Sequence, residues 1–248
     1  MSQILMSVKE LGRQLAREIV SCPAETKPGS LTYLLFGQQP SRQSICVKFG
    51  HVGEKLVQRM IQECPKIELL ECGNHIMDDT GKKKDIDLLW ADHKEKEIYY
   101  REAKGNIEMD TEKIPAMISK INTEIKKYLT DKWPDYKINL GILNWSVYDR
   151  KEITKGKSHI KRCEDAGIKV DHMKDILLQC DLVWPESDFY EYFSELGKIL
   201  SAPSGATIPE EAQEPPQQLE APQEEAPGHP PEPAQECAPP TPLTQLTM

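Results

Sequence analysis

The segment from Lys84 to Asn106 constrains this chain most, because it holds two short apolar runs that flank a polar turn and carry charges inside them. Alternate residues of an extended strand share one face. In the second run four residues would share a face: Ile98, Tyr100, Glu102 and Lys104. If the two runs pair as a hairpin, Asp87, Glu102 and Lys104 converge at one end of it.

These three charged side chains are costly to hold together inside a protein, since an unpaired buried charge pays a large desolvation penalty. Carboxylate oxygens are the ligands that Mg²⁺ prefers. The pattern therefore predicts a Mg²⁺ site at Asp87 and Glu102 with Lys104 beside it. The alternative is that the acids near the strand ends are ordinary solvated surface charges.

This stretch resembles the PD-(D/E)XK nuclease superfamily, with Asp87 as the first acid and Glu102-Ala103-Lys104 as the Glu-x-Lys element. Ile86 stands where the motif has Pro, which leaves Asp85 as a competitor for the first acid. We favour Asp87, because the Leu-Leu-Trp that follows it resembles the superfamily's order of an acid and then a strand. The resemblance implies that Asp87 and Glu102 hold Mg²⁺ and that the carbonyl of Ala103 completes the metal shell. It further implies that Lys104 orients or helps to deprotonate the attacking water.

A further acid precedes the hairpin, on a helix predicted from His51 to Glu63. At about 100° per residue, Glu54 falls at the border of the apolar face of this helix. Gly53-Glu54 resembles the acidic residue that a helix often supplies in the same superfamily, where it would bind a second metal or position Lys104 or a water. An ordinary boundary glutamate is the alternative.

The rest of the chain to residue 200 predicts an alternation of helices and strands. Helices are predicted from a capping box at Ser7 to Glu10, and at Thr111–Leu129 (N-cap Asp110 or Thr111), His172–Cys180 and Ser187–Leu200. Extended segments are predicted at Leu31–Phe36, Ile45–Phe49, Ile67–Leu70, Ile138–Tyr148 and Ile168–Val170, with a loop at Gly73–Lys84. This order is typical of an α/β fold. From Phe49 to Val170 it also resembles a restriction-endonuclease-like core, a mixed central sheet flanked by helices.

The composition divides the chain into a predicted endonuclease domain, 1–200, and a Pro/Glu-rich tail, 201–248. The tail has no Lys, Arg or aromatic residue, but eight Glu and twelve of the nineteen Pro. It cannot bury enough apolar surface to offset chain entropy, so we predict that it is disordered. Without those eight charges the net charge of −9 becomes about −1, so the predicted domain is nearly neutral.

The seven cysteines show no C-x-x-C and no paired Cys/His spacing, which argues against a zinc site and a disulfide framework. The odd count and the lack of a signal peptide predict a soluble, cytoplasmic or otherwise intracellular protein. No run approaches the length of a membrane span. Gly156-Lys157-Ser158 looks like the end of a Walker A motif, but position 151 is Lys instead of Gly, so we predict no nucleotide cofactor.

Candidate DNA contacts come from a basic segment that follows the predicted central strand. Its six basic residues stand against one acid, Glu152: Arg150, Lys151, Lys155, Lys157, Lys161 and Arg162. Lys83 and Lys84, just before the hairpin, are further candidates for phosphate contacts. A solvated charged loop is an equally good interpretation of the basic segment.

The resemblance implies a Mg²⁺-dependent endonuclease of double-stranded DNA, and within the superfamily a compact chain of this size looks most like a type II restriction endonuclease. Cutting both strands of a palindrome calls for two active sites related by a two-fold axis, so a homodimer is expected. Two rivals stay open. One is a structure-specific nuclease of repair or recombination, and the other is a nuclease-like DNA-binding module with an idle metal site.

Overall fold

A five-stranded mixed sheet forms the centre of the protein. Its strands are β1 (Glu68–Leu69), β4 (Leu88–Asp92), β5 (Glu97–Lys104), β6 (Lys137–Asn144) and β7 (Lys169–His172). They lie side by side in the order β1-β4-β5-β6-β7. The strands β1, β4 and β5 pair antiparallel, whereas β5, β6 and β7 run parallel. A separate antiparallel ribbon consists of β2 (Gly73–Ile76) and β3 (Lys83–Ile86), which leads directly into β4.

Helices cover both faces of this sheet, as the α/β prediction requires. They are α1 (Gln3–Ser21), α2 (Arg42–Glu63), α3 (Lys113–Ser119), a π-helical stretch (Lys120–Ile125), α4 (Lys126–Lys132), a 3₁₀ turn (Arg150–Glu152), α5 (Lys157–Asp165), α6 (Met173–Gln179) and α7 (Glu186–Ser201). This computed structural model describes residues 2–21, 34, 42–76, 81, 83–107 and 113–201.

Two apolar cores lie on opposite faces of the sheet. The first packs α1, α2, α6 and α7 against residues such as Trp90, Ala103 and Leu143. The second packs α3, the π-helical stretch, α4 and α5 against residues such as Ile98 and Tyr100. Because side chains alternate along β5, its successive residues project into different cores.

Helix α2 corrects one prediction, since Ile45–Phe49 is helical and not extended. Ile45 and Phe49 stand four residues apart, and both pack against the first core from one side of the helix. Their β-branched and aromatic character predicted a strand, but burial at a helical spacing prevails over that propensity. Helix α1 begins at Gln3 instead of Ser7, whose hydroxyl donates to Glu63 of α2 at 2.6 Å.

The β2–β3 ribbon corrects another, because much of the loop predicted at Gly73–Lys84 is paired strand. Polar residues build it, so apolar alternation gave no signal. On one side the ribbon is held by a contact of 3.1 Å between Tyr128 and His75 and by an ion pair of 2.8 Å between Lys84 and Glu124. The basic segment contains a helix, α5, that was not predicted.

The long helix predicted at Thr111–Leu129 is present in its described part, but its centre is a π-helix. The N-cap proposed at Asp110 or Thr111 lies outside the described residues. So do the tail beyond residue 201 and, apart from Leu34, the strand predicted at Leu31–Phe36. Among the helices that the structure describes, none combines the length and apolar character needed to cross a membrane.

Candidate active site

Asp87 lies at a bend between β3 and β4, so the strand predicted to run straight through it is interrupted there. The pairing of β4 with β5 begins at Leu88, opposite Arg101, so β4 offers no partner to the N–H of Ala103. The carboxylate of Asp87 takes that place: its Oδ2 accepts from the Ala103 N–H at 2.8 Å. Gln58 of α2 donates to the carbonyl oxygen of Asp87 at 2.9 Å and fixes the bend from the other side.

Glu102 projects from β5 on the face of the second core and is buried. Its Oε1 lies 3.0 Å from the ammonium of Lys104. Its Oε2 accepts from the Tyr100 hydroxyl at 2.6 Å and lies 2.9 Å from the ammonium of Lys120, the first residue of the π-helical stretch. Both carboxylate oxygens are therefore engaged by groups of the protein.

Of the carboxyl groups of Asp87 and Glu102, that of Asp87 is the one whose ionised form the site disfavours. Burial raises its pKa to about 7, and the nearby charges of Glu102 and Glu54 act in the same direction. Lys104 and the N–H of Ala103 lower the pKa, but they do not offset the burial. A positive charge at this point would stabilise the ionised form of Asp87.

Glu102 has the opposite balance. Burial by itself would raise its pKa, but the charges of Lys104 and Lys120 and the hydroxyl of Tyr100 lower it to about 2. The pKa of Tyr100 is raised well above its usual value by burial and by the charge of Glu102, so the phenol stays a hydrogen-bond donor. At neutral pH the site therefore holds an ionised Glu102 between two ammonium groups.

Glu54 approaches Asp87 from the opposite face, on the turn of α2 that precedes Gln58. Its carboxylate lies 3.4 Å from His51 and keeps partial exposure, with 25% of the side chain accessible. The approach of α2 depends on Gly53, because a Cβ there would lie 2.1 Å from the Trp145 ring. Glycine lets the helix seat against this indole, which brings the turn that carries Glu54 within electrostatic range of Asp87.

Asp85, the competing first acid, is placed differently. It lies on the exposed part of β3, paired with Asn74 of β2. Only its carbonyl oxygen approaches the site, 3.4 Å from the ammonium of Lys120. Asp87, and not Asp85, sets its carboxylate against the end of β5.

The oxygen atoms at this edge suit a hard divalent cation. Asp87 and Glu102 offer carboxylates, and the carbonyl of Ala103 points to the side of Asp87 because the N–H and C=O of one extended residue face the same way. Mg²⁺ binds through one or two carboxylates and keeps several waters, so this small donor set fits it. Among the described residues no three His, Cys, Asp or Glu side chains are grouped closely enough to enclose a metal.

Arg101, the neighbour of Glu102, projects into the opposite face and serves the fold. Its guanidinium is buried, 2.7 Å from Asp171 of β7, and it also donates to the carbonyl oxygens of Tyr100 and Asn139. Gly141 provides the space for the Arg101 side chain, since a Cβ at position 141 would lie 2.6 Å from the Nε of Arg101.

The structure divides the predicted DNA-contacting residues into two groups. Three form ion pairs: Lys84 with Glu124, Arg150 with Glu164, and Lys151 with Glu186. Five are exposed, and their side chains make neither a hydrogen bond nor an ion pair within the part of the chain that the structure describes: Lys83, Lys155, Lys157, Lys161 and Arg162. The second group is free to meet phosphates.

Helix α5 brings some of these free cations towards the site. A ring nitrogen of His159, in its first turn, lies 3.3 Å from the carbonyl oxygen of Ile107. Ile107 stands three residues beyond Lys104, so the start of α5 flanks the segment that leaves β5. Lys157 is the first residue of this turn, and Lys155 stands two residues before it.

Sequence analysis missed three residues of this site. Tyr100 had a signal, because its alternation with Glu102 places both on one face of β5. Gln58 had the weaker signal of standing one turn after Glu54 on α2. Lys120 had none, since its contact with Glu102 spans 18 residues and depends on how the π-helical stretch crosses the sheet.

Comparison of the sequence with protein-family models and with curated proteins, and of the fold with solved structures, finds no match.

Proposed function

We propose that this protein is a Mg²⁺-dependent endonuclease that hydrolyses phosphodiester bonds of double-stranded DNA at specific sites, in the manner of a type II restriction endonuclease. The observation that carries the proposal is the set of Asp87, Glu102 and Lys104 at one edge of the sheet, where burial and the charge of Glu102 raise the pKa of Asp87.

The cation would be held by the carboxylates of Asp87 and Glu102 and by the carbonyl of Ala103. Bound there, Mg²⁺ supplies Lewis-acid stabilisation of phosphate charge and lowers the pKa of a bound water. Lys104 has its ammonium beside Glu102 with 29% of the side chain exposed, so it can orient the attacking water and offset charge on the phosphate. Glu54 positions Lys104 or a water from the side of α2.

DNA would approach over the edge where β5 ends and α5 begins. Lys83, Lys155, Lys157, Lys161 and Arg162 supply phosphate contacts there, since they have no competing ion pair among the described residues. A homodimer would place two such edges on the two strands of one duplex.

The decisive experiment is cleavage of a large unmethylated plasmid or viral DNA by the full chain with Mg²⁺ and with EDTA. We expect discrete, reproducible fragments with Mg²⁺ only. Lys104→Ala and Asp87→Asn should each lower the rate by at least about 100-fold, as expected for groups that act on the reacting phosphate. Lys94→Ala is the matched control, because Lys94 is exposed at the opposite end of the same hairpin.

The other outcomes separate the rivals. Cutting restricted to branched DNA would replace the site-specific enzyme with a structure-specific repair nuclease. The idle binding module draws support from one observation, the saturation of Glu102 by two lysines. It would be established if no DNA were cut and Mn²⁺ binding, followed by electron paramagnetic resonance, were absent or indifferent to Asp87→Asn.

A further inference from the structure

Two ammonium groups, not one, lie on the buried carboxylate of Glu102. Lys104 belongs to the Glu-x-Lys pattern, but Lys120 comes from the opposite side, on the helical segment that crosses the second face of the sheet. The Lys120 ammonium is 2.9 Å from Oε2 and the Lys104 ammonium is 3.0 Å from Oε1. Each oxygen of Glu102 therefore has its own cation.

Lys120 begins the π-helical stretch and stands next to a row of buried apolar residues on the same helical segment. Ile121, Ile125 and Leu129 are spaced four residues apart and all are fully buried. In an α-helix a spacing of four drifts by about 40° per step, so such residues would turn away from one line. The wider turn of Lys120–Ile125 compensates for that drift, and short π-helical segments are frequent at functional sites.

Because both are positively charged, the Lys120 ammonium and a divalent ion compete for Glu102. With Lys120 in place, the positive charges of Lys104 and Lys120 both face the carboxylate of Glu102. A divalent ion held by Asp87 and Glu102 would add two positive charges beside the Lys120 ammonium, and it would need a Glu102 oxygen when both are already engaged by ammonium groups. Repulsion at this distance is strong in a partly buried site.

Lys120 has another position open to it. Its side chain is 22% exposed, and its ammonium already lies 3.4 Å from the carbonyl oxygen of Asp85 at the outer edge. A small rotation of the long side chain would release Glu102 without moving the helix. The ammonium would then face the same edge as Lys104.

We propose that Lys120 is a positioning residue that holds Glu102 in the place of a divalent cation and is displaced when that cation binds. This proposal rests on the proposed nuclease function and adds a control of metal loading to it. Lys120 keeps Glu102 paired in the resting site, and divalent-ion affinity is correspondingly weakened.

The test is Mn²⁺ binding to the full chain, measured by electron paramagnetic resonance, for wild type, Lys120→Met and Lys120→Arg. Lys120→Met should bind Mn²⁺ about tenfold more tightly, because a competing charge is removed. Lys120→Arg should remain within about threefold of wild type, since it keeps the charge. Lys127→Met is the matched control, because Lys127 is exposed on the same helical segment. If Lys120→Met does not fold, Lys120→Gln takes its place.

A cleavage assay adds a readout that a purely structural lysine would not move. The Mg²⁺ concentration for half-maximal rate should fall about tenfold in Lys120→Met, in step with the gain in affinity. Equal or weaker Mn²⁺ binding by Lys120→Met would overturn the role of Lys120 while leaving the nuclease intact. If the wild-type protein showed no Mn²⁺ binding that depends on Asp87, the nuclease proposal itself would be overturned.

Discussion

Arg101 and Glu102 are neighbours on β5, both are buried and both are charged, yet their surroundings differ. Arg101 is enclosed: Asp171, two carbonyl oxygens and the side chain of Asn139 satisfy its guanidinium, and 1% of the side chain is exposed. Glu102 is partnered by lysines that keep partial exposure, and the charge of the nearby Asp87 is not fully offset, because burial raises its pKa more than Lys104 lowers it. The first arrangement stabilises one conformation, whereas the second leaves room for a ligand.

The enclosed cluster should show the largest effect on stability. Asp171→Ala leaves the buried guanidinium of Arg101 without its carboxylate partner, which should lower the free energy of unfolding by about 3–5 kcal/mol. Urea denaturation followed by circular dichroism measures the loss. Asp131→Ala, at an exposed position of α4, should stay within about 0.5 kcal/mol of wild type. A decrease in the free energy of unfolding of less than about 1 kcal/mol in Asp171→Ala would show that solvent reaches the Arg101 guanidinium.

The open cluster should respond in the opposite direction. Asp87→Asn removes a charge that burial disfavours while keeping an oxygen for the Ala103 N–H, so in metal-free buffer at pH 8 it should be more stable by about 2 kcal/mol. The pKa of Asp87 is raised from 3.8 to about 7. Wild type therefore loses stability as the pH rises from about 4 through 7, and the gain of the variant should shrink towards pH 4.

Urea denaturation at pH 8 and pH 4.5 measures this difference. Asp85→Asn on β3 is the control and should change stability at neither pH, because that side chain is exposed. A variant Asp87→Asn that is less stable than wild type at pH 8 would mean that the Asp87 charge is already compensated.

The approach of α2 to the open cluster should show a smaller effect. Gly53→Ala places a methyl group against the rigid indole of Trp145 and should lower the free energy of unfolding by about 1–2 kcal/mol. Cleavage activity should fall as well, because the turn that carries Glu54 moves away from Asp87. Gly50→Ala is the control, because nothing lies within 4 Å of its Cβ position. In the same helix it should gain about 0.5–1 kcal/mol.

The comparison extends to the surface, where the expected effect is smallest. Lys157→Ala removes a cation that has no partner among the described residues, so it should lower the slope of log DNA affinity against log salt by about 1. Lys151→Ala removes a cation that is paired with Glu186 at 3.0 Å, and should leave the slope unchanged. Fluorescence anisotropy with labelled duplex in Ca²⁺ measures both slopes, and equal slopes would remove the distinction.

Much of the open cluster could be predicted before the fold was known. The period of two along β5 predicts that Tyr100, Glu102 and Lys104 share a face, and the polar turn predicts pairing with the preceding run. The choice between Asp85 and Asp87 could not be made in this way. It depended on which carboxylate meets the N–H of Ala103 where β4 ends.

The mistaken elements have a common cause. Ile45–Phe49 was predicted extended from residue type, but its two large residues are partly buried four apart on a helix, against the first core. The polar β2–β3 ribbon has no apolar alternation, and its strands are held by pairing and by contacts with the helices. Local pattern fails where stability comes from residues distant in the sequence.

The sequence by itself determined the mixed α/β arrangement and the separation of Arg101 from Glu102 onto opposite faces, because alternation along a strand is a local property of the backbone. Only the tertiary structure decided what each charge meets. Asp171 closes Arg101 across 70 residues, and Lys120 reaches Glu102 across 18. Such partners are set by the packing of helices and strands against one another, which no short stretch of sequence contains.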